Sequence, residues 1–112
     1  MAYAALQNAA GSFVSPSSKT FSNAAASADW ANAKDFDLVM TNAPGADAYP
    51  ITATTFVLMP TSPSDKARSK AALDFFRFAF EHGQDQATKL DYVPLPPALV
   101  RQIETYIAQK IK

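Results

Sequence analysis

Cysteine is missing from all 112 residues. That excludes a disulfide framework, a thiolate nucleophile and any thiolate metal site, and it fits a secreted or periplasmic protein. Histidine occurs once, as His82. Only carboxylates are then left to hold a metal, and no calcium-loop spacing is present. Glycine is scarce, with three residues; Gly11 and Gly45 stand isolated, so the chain has no glycine-rich phosphate cradle. Charge is low too: charged residues make up 18% of the chain, and ten basic residues balance ten acidic ones. Zero net charge without clustered Lys and Arg argues against nucleic acid or an anionic membrane surface as a partner. No apolar run is long enough to span a bilayer. The opening Met1-Ala2-Tyr3-Ala4 has neither a basic start nor a long apolar run, so no signal peptide is expected within this sequence.

What remains is an apolar chain, 48% hydrophobic, of one domain's length or a piece of a larger domain. Its clearest strand signal is Tyr49 to Pro60. The stretch is rich in β-branched and aromatic residues and has prolines near both ends. Its first half alternates, with Ile51 and Ala53 opposite Thr52 and Thr54. Its second half, Phe56 to Met59, is apolar at every position. A strand covered on both faces belongs inside an α/β layer structure, so this segment is expected to be the central strand.

Before it, Ala2 to Ala10 is alanine-rich and is predicted as a short helix ended by Gly11. Ser12 to Ser15 is a short strand candidate, stopped by Pro16. Ser17 or Ser18 then caps a helix whose face is Phe21, Ala24, Ala25 and Ala28. Trp30 is the expected core anchor beside it. Phe36 to Met40 reads equally as strand or helix, and Asn42-Ala43-Pro44-Gly45 as a turn. After the central strand, Ser62 with Pro63 predicts the start of the best helix. Ala71, Phe75, Phe78 and Ala79 form one apolar face and Ala72, Phe76 and Phe80 the next, so deep burial is expected. Gly83 should stop this helix in a left-handed conformation. A short helix from Gln84 to Leu90, a proline-rich connector Asp91 to Pro97 and a last helix from about Pro97 to Ile111 complete the chain. Val100, Ile103, Ile107 and Ile111 form the stripe of that last helix.

Each residue type that could carry chemistry has a plainer explanation. His82 in the last turn of a helix suits the dipole better than a catalytic triad. Asp29, Asp35, Asp37 and Asp47 are scattered acids, read as solvated rather than as an acid–base pair. Phe75, Phe76, Phe78 and Phe80 at helical spacing read as packing rather than as a stacking platform. Thr52, Thr54 and Thr55 offer hydroxyls to an oxyanion, but strand propensity accounts for them. Composition and spacing therefore describe an α/β piece without a self-contained active site.

Several blocks nonetheless recur in order: Tyr3-Ala4, Val14-Ser15-Pro16, Phe21-Ser22-Asn23-Ala24-Ala25, Ala28-Asp29-Trp30, Tyr49-Pro50-Ile51-Thr52-Ala53-Thr54-Thr55-Phe56, Leu73-Asp74-Phe75-Phe76 and Leu90-Asp91-Tyr92. Together they resemble the C-terminal part of the periplasmic phosphate-binding protein of the ABC phosphate importer, the PstS family. The Tyr49–Phe56 and Leu90–Tyr92 blocks are the most specific. The resemblance implies a partial periplasmic-binding-protein fold of type II: the C-terminal third, with one central strand and three to four helices. It implies that residues 1–48 close the second lobe, that 49–55 is the interlobe crossover, and that 56–112 belongs to the first lobe. Tyr49, Pro50, Ile51 and Thr52 are then hinge or cleft-adjacent positions. The family's direct phosphate ligands lie upstream, and none carries over onto a residue of this sequence.

The implied parent is a periplasmic solute-binding protein rather than an enzyme. It needs no cofactor, binds inorganic phosphate and docks on ABC transporter permease subunits. Met1 then reads as the start of an excised or partial chain, and self-association through uncovered apolar faces is expected. The alternative is a stand-alone α/β interaction module without a small-molecule site. A small hydrolase built on His82 has the least support.

Overall fold

Asn8 decides the first fold feature. Its Oδ1 accepts hydrogen bonds from the amides of Ala10 (3.1 Å) and Ser12 (3.0 Å), and Gly11 turns with φ of +82°, a conformation that favours glycine. The chain thus reverses, and β1 (Leu6–Gln7) pairs antiparallel with β2 (Phe13–Val14), Leu6 opposite Val14 and Gln7 opposite Phe13. The helix expected over residues 2–10 does not form. Alanine propensity is a weak force, and here it loses to the turn and to bonds made far along the chain. The Asn8 Nδ2 donates to the carbonyls of Ala46 (2.8 Å) and Ala48 (3.1 Å), with that of Gly45 at 3.3 Å.

The computed structural model describes residues 2–111, and they fall into two units, one ending at Thr55 and the other beginning at Phe56. In the first unit α1 (Ser18–Ser27) starts where the sequence signals it. Ser17 is the N-cap, and Ser17 and Thr20 form a reciprocal capping box. Ala24 of this helix is fully buried with Ala43 and Ala48. The methyl-sized side chains let the 43–48 loop cross the helix closely: a Cβ on Gly45 would stand 2.8 Å from Ser27 Oγ. Trp30 is buried as expected, and its Nε1 donates to the Ala25 carbonyl (2.7 Å). The stretch 36–40 forms neither a strand nor an α-helix. A 3₁₀ turn spans Lys34–Phe36, with positive φ at Asp35 and Phe36, and Met40 is buried beyond it.

The second unit holds α2 (Lys66–His82), α3 (Gln84–Lys89) and α4 (Pro97–Lys110). α2 begins three residues later than the Ser62-Pro63 signal, because the Asp65 carboxylate accepts from the Arg68 amide (2.9 Å) and caps it. Gly83 ends α2 but is right-handed, with φ −90° and ψ −4°. Glycine is needed for space instead: a Cβ there would lie 2.6 Å from the Ala79 carbonyl oxygen. The Gln84 side chain donates to the Phe80 carbonyl (2.9 Å), covering one of the carbonyls the helix leaves open. Pro97 stands in the first turn of α4, and Leu99 is that helix's buried residue.

Two further expectations need correction. The segment 49–60 is not a central strand, since among the described residues the only ladder joins β1 to β2. Strand propensity alone makes no strand; a ladder partner must be present. Nor is α2 deeply buried. Phe75 and Phe78 are 63% and 61% exposed, and Ser69 is the helix's only buried residue. Its apolar arc is as wide as the sequence indicates, but only part of it meets other residues. The mixed α/β class stands, with four α-helices and a small two-stranded sheet among the described residues.

Candidate functional site

The four candidate hinge positions differ sharply in how they are held. Tyr49 donates its amide to the Thr20 carbonyl (3.1 Å). Its ring meets Phe21 edge to face at 5.4 Å, and its hydroxyl lies 3.4 Å from the Ala4 carbonyl. Pro50 is buried and accepts from the Asn42 amide (2.8 Å). Proline fixes φ and biases the residue before it toward extended backbone, so Tyr49-Pro50 is a stiff pair clamped onto the first unit. Ile51 by contrast is exposed. Thr52 turns its hydroxyl back to the Tyr49 carbonyl (2.8 Å), so that hydroxyl is already engaged locally. The Thr54 hydroxyl is buried without a hydrogen-bond partner.

The other candidate groups remain dispersed. His82 sits in the last turn of α2, largely exposed, its Nε2 3.6 Å from the Glu81 carboxylate and its ring 5.0 Å from that of Phe78. Asp29 accepts from the Asn32 amide group (2.8 Å). Among the described residues no three acidic or histidine side chains gather into a metal-binding group. Lys70 and Arg77 both reach Asp74, at 2.6 and 3.5 Å. The hydrogen bond from Lys70, helped by the Lys70 and Arg77 charges, lowers the Asp74 carboxyl below its ordinary value.

A helix start can bind an anion through free amides and the dipole. The starts of α1 and α2 are taken, whereas those of α3 and α4 carry no side-chain cap. Ser17 fills that of α1, and the Asp65 carboxylate fills that of α2, where it would repel an anion. Sequence reasoning missed Asn8 altogether. Only its neighbourhood with Gly11 signals a turn, and its reach to residues 46 and 48 has no local signature.

No family model matches the chain. Curated relatives do, along its whole length. The protein from Xylella fastidiosa strain Temecula1 named phosphate-binding protein PstS is 61% identical over all 112 residues. Those of the same name from Pasteurella multocida and Haemophilus influenzae are 40% and 39% identical, again over the full chain. The chain is similar throughout to part of PstS. It spans about a third of the relatives' length, between 31% and 34%. The PstS likeness covers both units, the clamped Tyr49-Pro50 pair and the exposed face of α2 alike.

Proposed function

We propose that the chain is the C-terminal third of a two-lobed periplasmic receptor, not an enzyme, that binds inorganic phosphate and delivers it to the permease subunits of an ABC importer. The observation that carries this reading is the 61% identity, over the whole length of the chain, to a protein named phosphate-binding protein PstS. In this reading the first unit completes one lobe and the second unit part of the other, and the ligand groups come from the rest of the receptor. The chain's own contribution is the frame and the crossover. Tyr49 and Pro50 anchor the crossover to α1 and to Asn42, and the rotation needed for closure falls on Ile51 to Thr55, where only Thr52 makes a side-chain bond to the preceding backbone.

A covalent chimera tests the reading. The matching third of the Xylella fastidiosa PstS is replaced by this chain, and phosphate and sulfate are titrated calorimetrically. The expected outcome is phosphate affinity within about tenfold of the intact relative, a change of about 1.4 kcal/mol, with phosphate preferred over sulfate. A folded chimera that binds neither anion, or both alike, would overturn it.

A further inference from the structure

Backbone strain in the first unit is concentrated in one segment. Among the described residues, Asp35 (φ 54°), Phe36 (φ 59°) and Asn42 (φ 57°) are left-handed without being glycine, and beyond them only Asp91 is. Asp and Asn tolerate this region of backbone space, whereas a bulky phenylalanine is an outlier there. Such residues persist only where the surrounding structure holds them, and they gather at switch regions.

Asp35 and Phe36 are the central pair of a turn that the Asp37 amide closes onto the Lys34 carbonyl (2.9 Å). A turn with positive φ at both central positions favours Asn or Asp first and glycine second. Asp35 meets the first preference. Phe36 stands where the backbone asks for glycine. Its ring lies 6.2 Å from that of Trp30, tilted by 39°, within the range at which aromatic pairs attract. One residue thus carries two opposed terms: its backbone drives the turn open, and its ring holds the turn shut. The indole it leans on is fixed, because Trp30 is buried and its Nε1 donates to the Ala25 carbonyl of α1.

The chain runs directly from this turn to the candidate crossover. Between Phe36 and Asn42 only Met40 is buried, so a single side chain anchors the tether. Asn42 then donates its amide to the Pro50 carbonyl (2.8 Å).

Resting on the PstS reading of residues 49–55 as the crossover, we propose that the segment 34–42 is a sprung latch. Phe36 on Trp30 keeps the strained turn closed, and the closed turn keeps Asn42 on Pro50. Release of the ring opens the turn and frees the Pro50 carbonyl. Tyr49 stays on Thr20 and Phe21 in both states, so release softens the crossover without detaching it.

Two variants separate the ring from the strain. Phe36→Ala removes the ring and keeps a left-handed Cβ; Phe36→Gly removes both. The measurements are amide exchange by NMR on the full chain and acrylamide quenching of Trp30, the single tryptophan. In Phe36→Ala the Asp37 and Asn42 amides should exchange at least about tenfold faster than in the unaltered chain, with Trp30 more strongly quenched. The Ala48 amide, bonded to the Gly45 carbonyl, should stay within about threefold, which marks the opening as local. In Phe36→Gly the Asp37 and Asn42 amides should both stay within about threefold of the unaltered chain, although Trp30 has lost the same ring. If circular dichroism shows that Phe36→Ala has lost helix, Phe36→Leu takes its place with the same expected direction. Unaltered exchange at Asp37 in Phe36→Ala, faster exchange at Asp37 without Asn42, or Phe36→Gly as fast as Phe36→Ala would each overturn the latch. None of these readouts involves phosphate. A latch that fails them leaves the result of the chimera untouched, and a chimera blind to phosphate beside a latch that passes would remove the crossover reading alone.

Discussion

Asn8 serves two parts of the first unit with one amide group, accepting from the hairpin turn and donating to carbonyls some 40 residues later. Removing it leaves buried carbonyls and turn amides without partners, and each such loss costs on the order of 1 kcal/mol. Asn8→Ala is therefore expected to destabilise the chain by about 2–4 kcal/mol in urea melts. Asn8→Asp should be worse at neutral pH, because a carboxylate would face the Ala46 and Ala48 carbonyls. An unchanged midpoint for both would mean that the bracket does not hold the hairpin. The aromatic residues of α2 show the opposite case. Phe75 and Phe78 are exposed, so truncating either to Ala should cost less than about 1 kcal/mol in the isolated chain, whereas Leu99→Ala, at a buried position, should cost about 2–4 kcal/mol. The sequence predicts Phe75 and Phe78 as deeply buried, since helical spacing shows which residues share a face but not whether anything lies against it. Equal effects in the melts would mean that the α2 stripe is covered after all.

Elements differ in how much of their cause is local. The α1 cap is entirely local: Ser17 and Thr20 satisfy each other's backbone, and the helix begins where those two residues place it. α3 and α4 likewise start within their own signals, at the residue after Gly83 and at Pro97. β1 was not legible, because its cause is the long-range grip of Asn8 and its sequence looks helical. The Tyr49–Pro60 stretch reads as a strand without forming one for a related reason: a strand is a relation between two segments, and its propensity is visible where its partner is not. The stiffness of the Tyr49-Pro50 pair is legible at Pro50, whose covalent geometry acts on its immediate neighbours, while the clamp of Tyr49 on Phe21 and Thr20 needs the fold. The junction of α2 and α3 gives a prediction at this scale. Gly83→Ala puts a methyl group against the Ala79 carbonyl oxygen, at 2.6 Å. The helices must shift to admit it, at about 1–3 kcal/mol. A stabilised variant, as expected if only helix propensity mattered, would show that the close approach is easily relieved.

For the whole molecule the first expectation concerns the ligand. The helix starts of α1 and α2 are capped by the chain itself, and Lys70 and Arg77 are both drawn to Asp74. Titration of the isolated chain with phosphate at moderate salt should therefore give no saturable heat, and micromolar affinity with discrimination against sulfate would sink the proposal that the ligand groups lie elsewhere. A second consequence comes from the buried cluster of Ala24, Ala43 and Ala48. No large side chain among the described residues is fully withdrawn from water, so unfolding brings comparatively little new apolar surface into contact with solvent. The heat-capacity increment of the isolated chain should then fall below the usual ~12–15 cal/mol/K per residue. Its stability curve would be shallow, changing little between refrigeration and body temperature, with a broad calorimetric endotherm and a weak response to each added molar of urea.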